Sequence, residues 1–373
     1  MVNPCWVLSN GGSEPTPRKM SACGRNAHPK ATLKDYNNLT PEVQRNPYRF
    51  NFSLYGAAKS VAVPQDPTYG IPGVVWDCGV VLANAVAAAP ARFHGRSVLE
   101  VGAATGLAAA VAWHCGASLA VATDLPQVVA DVTRPTLLGI VRDAGAVPAA
   151  RRESLAALPL TWGDAEEAAA LRAFLAARIA SGAVAAPTGG SGGPGAKKAG
   201  GGAKAGAAGA TPSPAASPPP PHWDYVLAAD VSYQPNMFAA LLECLTAIMP
   251  PGRRHRAPAP EEDDDAGGAT GDAVGGDGSD APDGLDDGPP CHTTLLFVYR
   301  RRVTADADML AALRDAYVEV AATPGQQLSP SYPKDNLTLY EFRTAASVAA
   351  APPPSPAGPA GAAGGKGKAK KGK

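Results

Sequence analysis

The stretch Val98-Leu-Glu-Val-Gly-Ala-Ala-Thr-Gly-Leu107 decides how the rest of the chain is read. A short apolar run carries an acid, Glu100, passes through Gly102 and Gly106, and enters an alanine-rich helical pattern. Glycine at 102 lets the backbone turn sharply and approach a ligand, and glycine at 106 permits tight packing of helix on strand. The dinucleotide fingerprint needs a glycine where Ala104 stands, so a pyrophosphate has no evident cradle here. An acid just before the turn instead suits a ligand with a cationic amine. One strand later, Val121-Ala-Thr-Asp124 places a carboxylate where it can hold the two hydroxyls of a ribose.

Outward from this turn, short apolar runs alternate with helical stretches. Strands are expected at Ser97–Val101, Ser118–Thr123, Leu158–Trp162, Tyr225–Ala229, Thr294–Tyr299, Tyr317–Ala321 and Leu337–Phe342. Helical periodicity covers Asp77–Ala88, Leu107–His114, Gln127–Arg142, Met237–Met249 and Ala305–Ala316. Pro135 is expected to interrupt the third helix, because it lacks an N–H and clashes with the preceding turn. Such alternation predicts an α/β fold with a mostly parallel sheet covered by helices on both faces. Ligands of such sheets lie beyond the carboxyl ends of the strands, at the switch in strand order.

Composition sets the boundaries. The chain has 373 residues, with 41 glycines and 38 prolines concentrated in stretches that cannot build a core. Residues 1–45 read as a weakly ordered lead, and order is expected to begin near Asn46-Pro-Tyr-Arg-Phe-Asn-Phe. Two low-complexity insertions, about 180–221 and 251–290, interrupt the domain at 46–345, and a Pro/Ala/Gly/Lys tail occupies 346–373. These segments bury too little apolar area to offset the entropy of ordering, so they are expected to be disordered. The acidic run Glu261–Asp265 is read as solvated chain, and the lysine tail is at most a weak nuclear-import signal. A net charge of +0 gives no case for nucleic acid or an anionic membrane. No apolar run approaches the roughly 20 residues that span a bilayer. Six cysteines without a C-x-x-C pair, and histidines without ligand spacing, argue against disulfides and metal. A cytoplasmic monomer is expected, with a nuclear pool allowed by the tail.

Taken together, the acid, the two glycines and Asp124 favour adenosylmethionine over NAD. Glu100-Val-Gly-Ala-Ala-Thr-Gly106 resembles the first motif of the seven-strand, Rossmann-like methyltransferases, E-x-G-x-G-T-G, with Ala104 replacing the central glycine. Further segments are similar to the family 16 protein-lysine methyltransferases, nearest the methyltransferase-like 21 group. Gly73-Val-Val-Trp-Asp77 with Val80-Val-Leu82 resembles the V-W-D-x-x-x-x-L entry helix, and Leu160-Thr-Trp-Gly163 the L-x-W-G segment. Asp224-Tyr-Val-Leu-Ala-Ala-Asp-Val-Ser-Tyr233 resembles the fourth strand ending in D-x-x-Y. Val298-Tyr-Arg-Arg-Arg302 and Leu337-Thr-Leu-Tyr-Glu341 resemble the later strand ends. The asparagine-rich helix usual after the second strand is not evident in Val128–Arg142.

The resemblance implies an enzyme that methylates a lysine of a protein substrate such as a chaperone or elongation factor. It implies that Trp76, Gly102, Ala103, Ala104, Asp124, Trp162 and Ala229, with Glu100 and Gly106 of the motif, surround the cofactor. Asp230 and Tyr233 then stand at the transfer site. An amine with a reference pKa near 10.4 must lose its proton before attacking a methylsulfonium, so Asp230 would orient it and Tyr233 would hold it. Plainer roles stay open: Trp76 and Trp162 as core aromatics, Asp124 and Asp230 as helix caps, Tyr233 as an interface residue. A small-amine acceptor and a catalytically silent scaffold are the competing functions.

Overall fold

A computed structural model describes residues 46–185, 221–232, 234–251, 292–300, 306–328 and 337–349. The weakly ordered lead, most of both insertions, most of the tail, and Tyr233 lie outside the described residues.

The chain enters through a hairpin, β1 (Tyr48–Leu54) and β2 (Ala57–Val63). Leu54 pairs with Ala57, leaving Tyr55 and Gly56 as a two-residue turn, and both have positive φ. That geometry matches the right-handed twist of the flanking strands. Tyr48 and Phe50 face inward while Arg49 and Asn51 stay exposed, the period of two expected for a half-buried strand. Helix α1 (Asp77–Ala88) follows, with Asp77 in its first turn.

The main sheet is built from β3 (Ser97–Val101), β4 (Leu119–Asp124), β5 (Leu155–Pro159), β6 (Tyr225–Ala229), β7 (Thr294–Arg300), β8 (Val318–Pro324) and β9 (Leu337–Arg343). Its seven strands run in the order β5-β4-β3-β6-β7-β9-β8. Neighbouring pairs from β5 to β7 are parallel, and β9 is antiparallel to both β7 and β8. The order reverses between β3 and β6, so the carboxyl ends of β3, β4 and β6 converge at the switch point. This is the seven-stranded, mostly parallel α/β sheet expected from the alternation of strands and helices.

All five residues of β3 are buried, because helices cover both faces. Side chains alternate strictly between two cores. Val98, Ala120, Ala122, Leu227, Leu296 and Val298 pack under α1, the hairpin and α2 (Leu107–His114). Leu99, Val101, Val121, Val226, Ala228 and Phe297 pack on the other face. There they meet α4 (Ala165–Ala180), α5 (Phe238–Ile248) and α6 (Asp306–Ala316), which follow α3 (Arg134–Asp143) in the chain. Each fully buried Leu or Val contributes roughly 1.5–3 kcal/mol.

Two expectations are corrected. The fifth strand is Leu155–Pro159 rather than Leu158–Trp162, so Leu160 to Gly163 form the loop beyond it. Helix α4 was not expected, although Asp164 caps it by accepting from the Glu167 N–H and two glutamates occupy its first turn. The interruption expected at Pro135 takes the form of a π turn, which divides the third helix into Pro126–Val128, Val129–Thr133 and α3. This turn precedes α3 and widens the ladder so that the Arg134 N–H donates to Val129 O. Pro135 then sits in the opening turn of α3, where no N–H is needed. No described helix is long and apolar enough to cross a membrane.

Candidate functional site

The turn after β3 organises the carboxyl edge of the sheet. Gly102 has φ +64°, and a Cβ there would meet Val231 Cγ1 at 2.8 Å and Trp162 Cζ2 at 3.2 Å. Glycine is therefore required twice over, by backbone conformation and by the contact of three loops. Gly106 has φ +76° and lies against Leu137 and Thr133, so the start of α2 packs closely on the π turn and α3. The Ala103 N–H donates to Thr123 O at 2.8 Å, and the Thr123 hydroxyl donates to Glu100 O at 2.8 Å. These bonds clamp the ends of β3 and β4 together.

Asp124 reaches into this turn from the end of β4. Its Oδ2 accepts from the Ala104 N–H at 2.8 Å, and its Oδ1 accepts from the Leu125 N–H at 2.8 Å. A carboxylate oxygen can accept more than one hydrogen bond, which is the chemistry a ligand hydroxyl requires. Ala104 O accepts from the Thr133 hydroxyl at 2.6 Å, which fixes the turn on the side of the π helix.

Ala104 itself is left-handed, with φ 47°. A side chain in that region costs about 1–2 kcal/mol, which a glycine would not incur. Ala104→Gly is expected to raise stability by about 1 kcal/mol after the added freedom of the unfolded chain is deducted. Urea denaturation reads this directly, and a loss of stability would show that the methyl group packs usefully.

Glu100 is placed differently from an acid at the mouth of a site. It is 4% exposed and turned beneath the opening of α2, where its Oε2 accepts from the Ala109 N–H at 2.7 Å. Burial raises its pKa from the usual 4.5 to about 8, against the helix N–H groups that favour the anion; the charge of Asp124 adds a smaller upward push. Glu100 supports the turn from below, where its burial favours the neutral carboxyl.

Trp162 follows β5, is half-buried on the second core, and presents its ring edge to Gly102. Gly163, at φ +84°, then turns the chain toward α4. At the end of β6, Ala229 and the Asp230 that follows it are half-buried. Asp230 is left-handed, with φ 59°, a conformation that aspartate tolerates better than most side chains. Its N–H donates to Val298 O at 3.1 Å, docking it on the neighbouring strand. Trp76 lies half-buried against the first core, with its indole N–H donating to Ile71 O at 2.8 Å.

The structure thus gathers Gly102, Ala103, Ala104, Asp124, Trp162 and the β6 end at one edge. Two residues that the quoted motifs contain but that the sequence reading gave no role join that edge: Val231, which seals the Gly102 turn, and Arg300, whose guanidinium donates to Asp77 Oδ2 at 2.8 Å. Val231 was hidden as an ordinary apolar residue. Arg300 and Asp77 stand 223 positions apart, and no local spacing announces their meeting. Among the described residues, no group of three or more His, Cys, Asp and Glu is placed to hold a metal.

No family model matches the chain, and no curated protein matches it. Its solved structural neighbours include the mitomycin 7-O-methyltransferase MmcR, at 11% identity and a TM-score of 0.33, covering 72% of this chain and 54% of that one. A protein of Streptococcus mutans described as a SAM-dependent methyltransferase is 9% identical, with a TM-score of 0.33, over 80% of this chain and 56% of that one. A methyltransferase complexed with SAH is also 9% identical, with a TM-score of 0.35, over 80% of this chain and 57% of that one. The chain spans little more than half the length of each of these three proteins.

Proposed function

We propose that this chain is an adenosylmethionine-dependent methyltransferase whose acceptor is a lysine side chain of another protein. One observation carries the reading. The Gly102–Ala104 turn is joined to Asp124 by the Ala104 N–H and to Trp162 and Val231 by the close approach at Gly102, so the ends of β3, β4, β5 and β6 form one continuous edge. The groups fit the cofactor. Asp124 is a carboxylate of the kind that accepts from ribose hydroxyls, the tight Gly102 turn admits close backbone approach, and Trp162 offers an aromatic edge.

When bound, adenosylmethionine supplies a methyl group activated on a sulfonium. The chain's own residues then have three tasks. Trp76, Gly102, Ala103, Ala104, Asp124, Trp162 and Ala229 hold the cofactor, with Glu100 and Gly106 shaping the turn beneath it. Asp230 orients the acceptor amine and favours its loss of a proton. Holding the acceptor amine in place against the bound cofactor would supply much of the acceleration. Support for lysine comes from the sequence Asp230-Val-Ser-Tyr233 and from the position of Asp230 at the strand end; Tyr233, carried by the resemblance alone, lies outside the described residues.

Calorimetry is expected to show binding of adenosylmethionine or adenosylhomocysteine and none of NAD; the reverse result overturns the reading. Asp124→Ala is expected to weaken cofactor binding by about 1–3 kcal/mol, the scale for hydrogen bonds to a charged group. Incubation with labelled adenosylmethionine and cell lysate then identifies the acceptor. Label on lysine in a protein band supports the proposal, and label confined to the low-mass fraction makes the acceptor a small amine.

A further inference from the structure

Arg300 closes β7 on the face that carries α1, in line with Leu296 and Val298 two and four positions earlier. Its guanidinium donates to Asp77 Oδ2 at 2.8 Å, with side-chain exposures of 13% for the arginine and 0% for the aspartate. Asp77 is the first residue of α1, so this pair ties the start of that helix, and Trp76 beside it, to the end of a strand 223 residues away. Asp230 reaches the same strand end from the other side, through its N–H bond to Val298 O at 3.1 Å. Burial opposes the charge on Arg300, but Cys78, Asp230 and Asp77 outweigh it, and the guanidinium pKa lies above its ordinary value. The Arg300 charge thus acts on acids of two different elements: it is hydrogen-bonded to Asp77, and Asp230, docked two residues back along the same strand, adds its attraction. A planar guanidinium can serve two acceptors at once in fixed directions, whereas an ammonium acts as a single point charge.

We propose that Arg300 is a positioning residue for the acceptor site: it steadies Asp230 at the end of β6 and sets the Trp76–Asp77 entry of α1 relative to it. The functional part rests on the methyltransferase reading above. The mechanical part does not. A merely structural ion pair would contribute to melting temperature and leave Asp230 as mobile or as fixed as before.

Amide hydrogen exchange separates these cases, because the Asp230 N–H is protected by its bond to Val298 O. In Arg300→Lys, the Asp230 and Val231 amides are expected to exchange about tenfold faster, while those of Leu99 to Val101 in the central strand keep their rates. Methyl transfer to the labelled lysate band is expected to fall about tenfold or more in kcat, with adenosylhomocysteine affinity within about threefold. Unchanged exchange at Asp230, or an equal increase at every amide, overturns the proposal, as does full kcat per folded molecule in an active parent enzyme. If the parent transfers no label, the methyltransferase reading fails, and the exchange pattern still decides whether Arg300 holds Asp230. Arg300→Gln leaves the fully buried Asp77 charge without this partner, so the paired variant Arg300→Gln/Asp77→Asn, which removes both charges, is measured beside it. Selective loosening at Asp230 in that variant supports the proposal, and its absence sinks it.

Discussion

Glu100→Gln is expected to change the pH dependence of stability more than any other single substitution in this domain. The native carboxyl has a pKa of about 8, against 4.5 when unperturbed, chiefly through burial. Between those values the folded chain binds more protons than the unfolded chain. The stability that this group contributes is therefore fully present below pH 4.5 and is lost as pH rises through 8. At ~1.4 kcal/mol per pKa unit, this displacement sets a linkage limit of ~5 kcal/mol. Glutamine does not titrate, so the stability of the variant relative to the parent is expected to improve by about 3–5 kcal/mol between pH 4 and pH 9. Any fixed cost of placing an amide beside the Ala109 N–H cancels from that difference. Urea denaturation across the range measures it, and a difference that stays flat with pH would show that Glu100 ionises normally in the folded protein.

Asp230→Ala is expected to lower methyl transfer by about 100-fold or more, the range for losing a positioned acid–base group. Cofactor affinity is expected to stay within a few-fold, because Asp124, the acid proposed to hold the ribose, belongs to a different strand. If Asp230 serves only the local backbone, the same substitution instead lowers stability by about 1 kcal/mol and leaves turnover per folded molecule intact. The left-handed backbone at Asp230 makes glycine a useful control. Asp230→Gly removes the carboxylate without backbone strain, so a matching loss of transfer in both variants assigns the effect to the carboxylate itself.

The hairpin shows where the sequence was more informative than a helix-centred reading allows. Tyr48, Phe50, Phe52 and Leu54 alternate with polar residues ahead of Tyr55-Gly56, which is sufficient signal for a strand and a turn. Helix α4 was harder to see. Its alanine-rich pattern resembles the low-complexity sequence that follows, and only Asp164 and the two glutamates mark its start. The register of β5 had no local signal at all. Leu155-Ala-Ala-Leu-Pro-Leu160 is apolar throughout and marks no boundary of its own; pairing with β4, Ala120 to Leu155, selects the phase.

What the sequence determined by itself is the local chemistry: the strand–turn–helix around Gly102 and Gly106, the acid at Asp124, and the succession of strands and helices. Those features depend on side-chain period and backbone freedom, which act over a few residues. What the tertiary structure decided is which groups meet. Glu100 turns inward because the start of α2 offers it an N–H, and Gly102 is held by Trp162 and Val231 from two other loops. Arg300 finds Asp77 and approaches Asp230 because parallel pairing of β6 and β7 brings their ends together and α1 covers that face. Contacts between residues more than a hundred positions apart leave no trace in local spacing, since their partners are chosen by packing against the sheet.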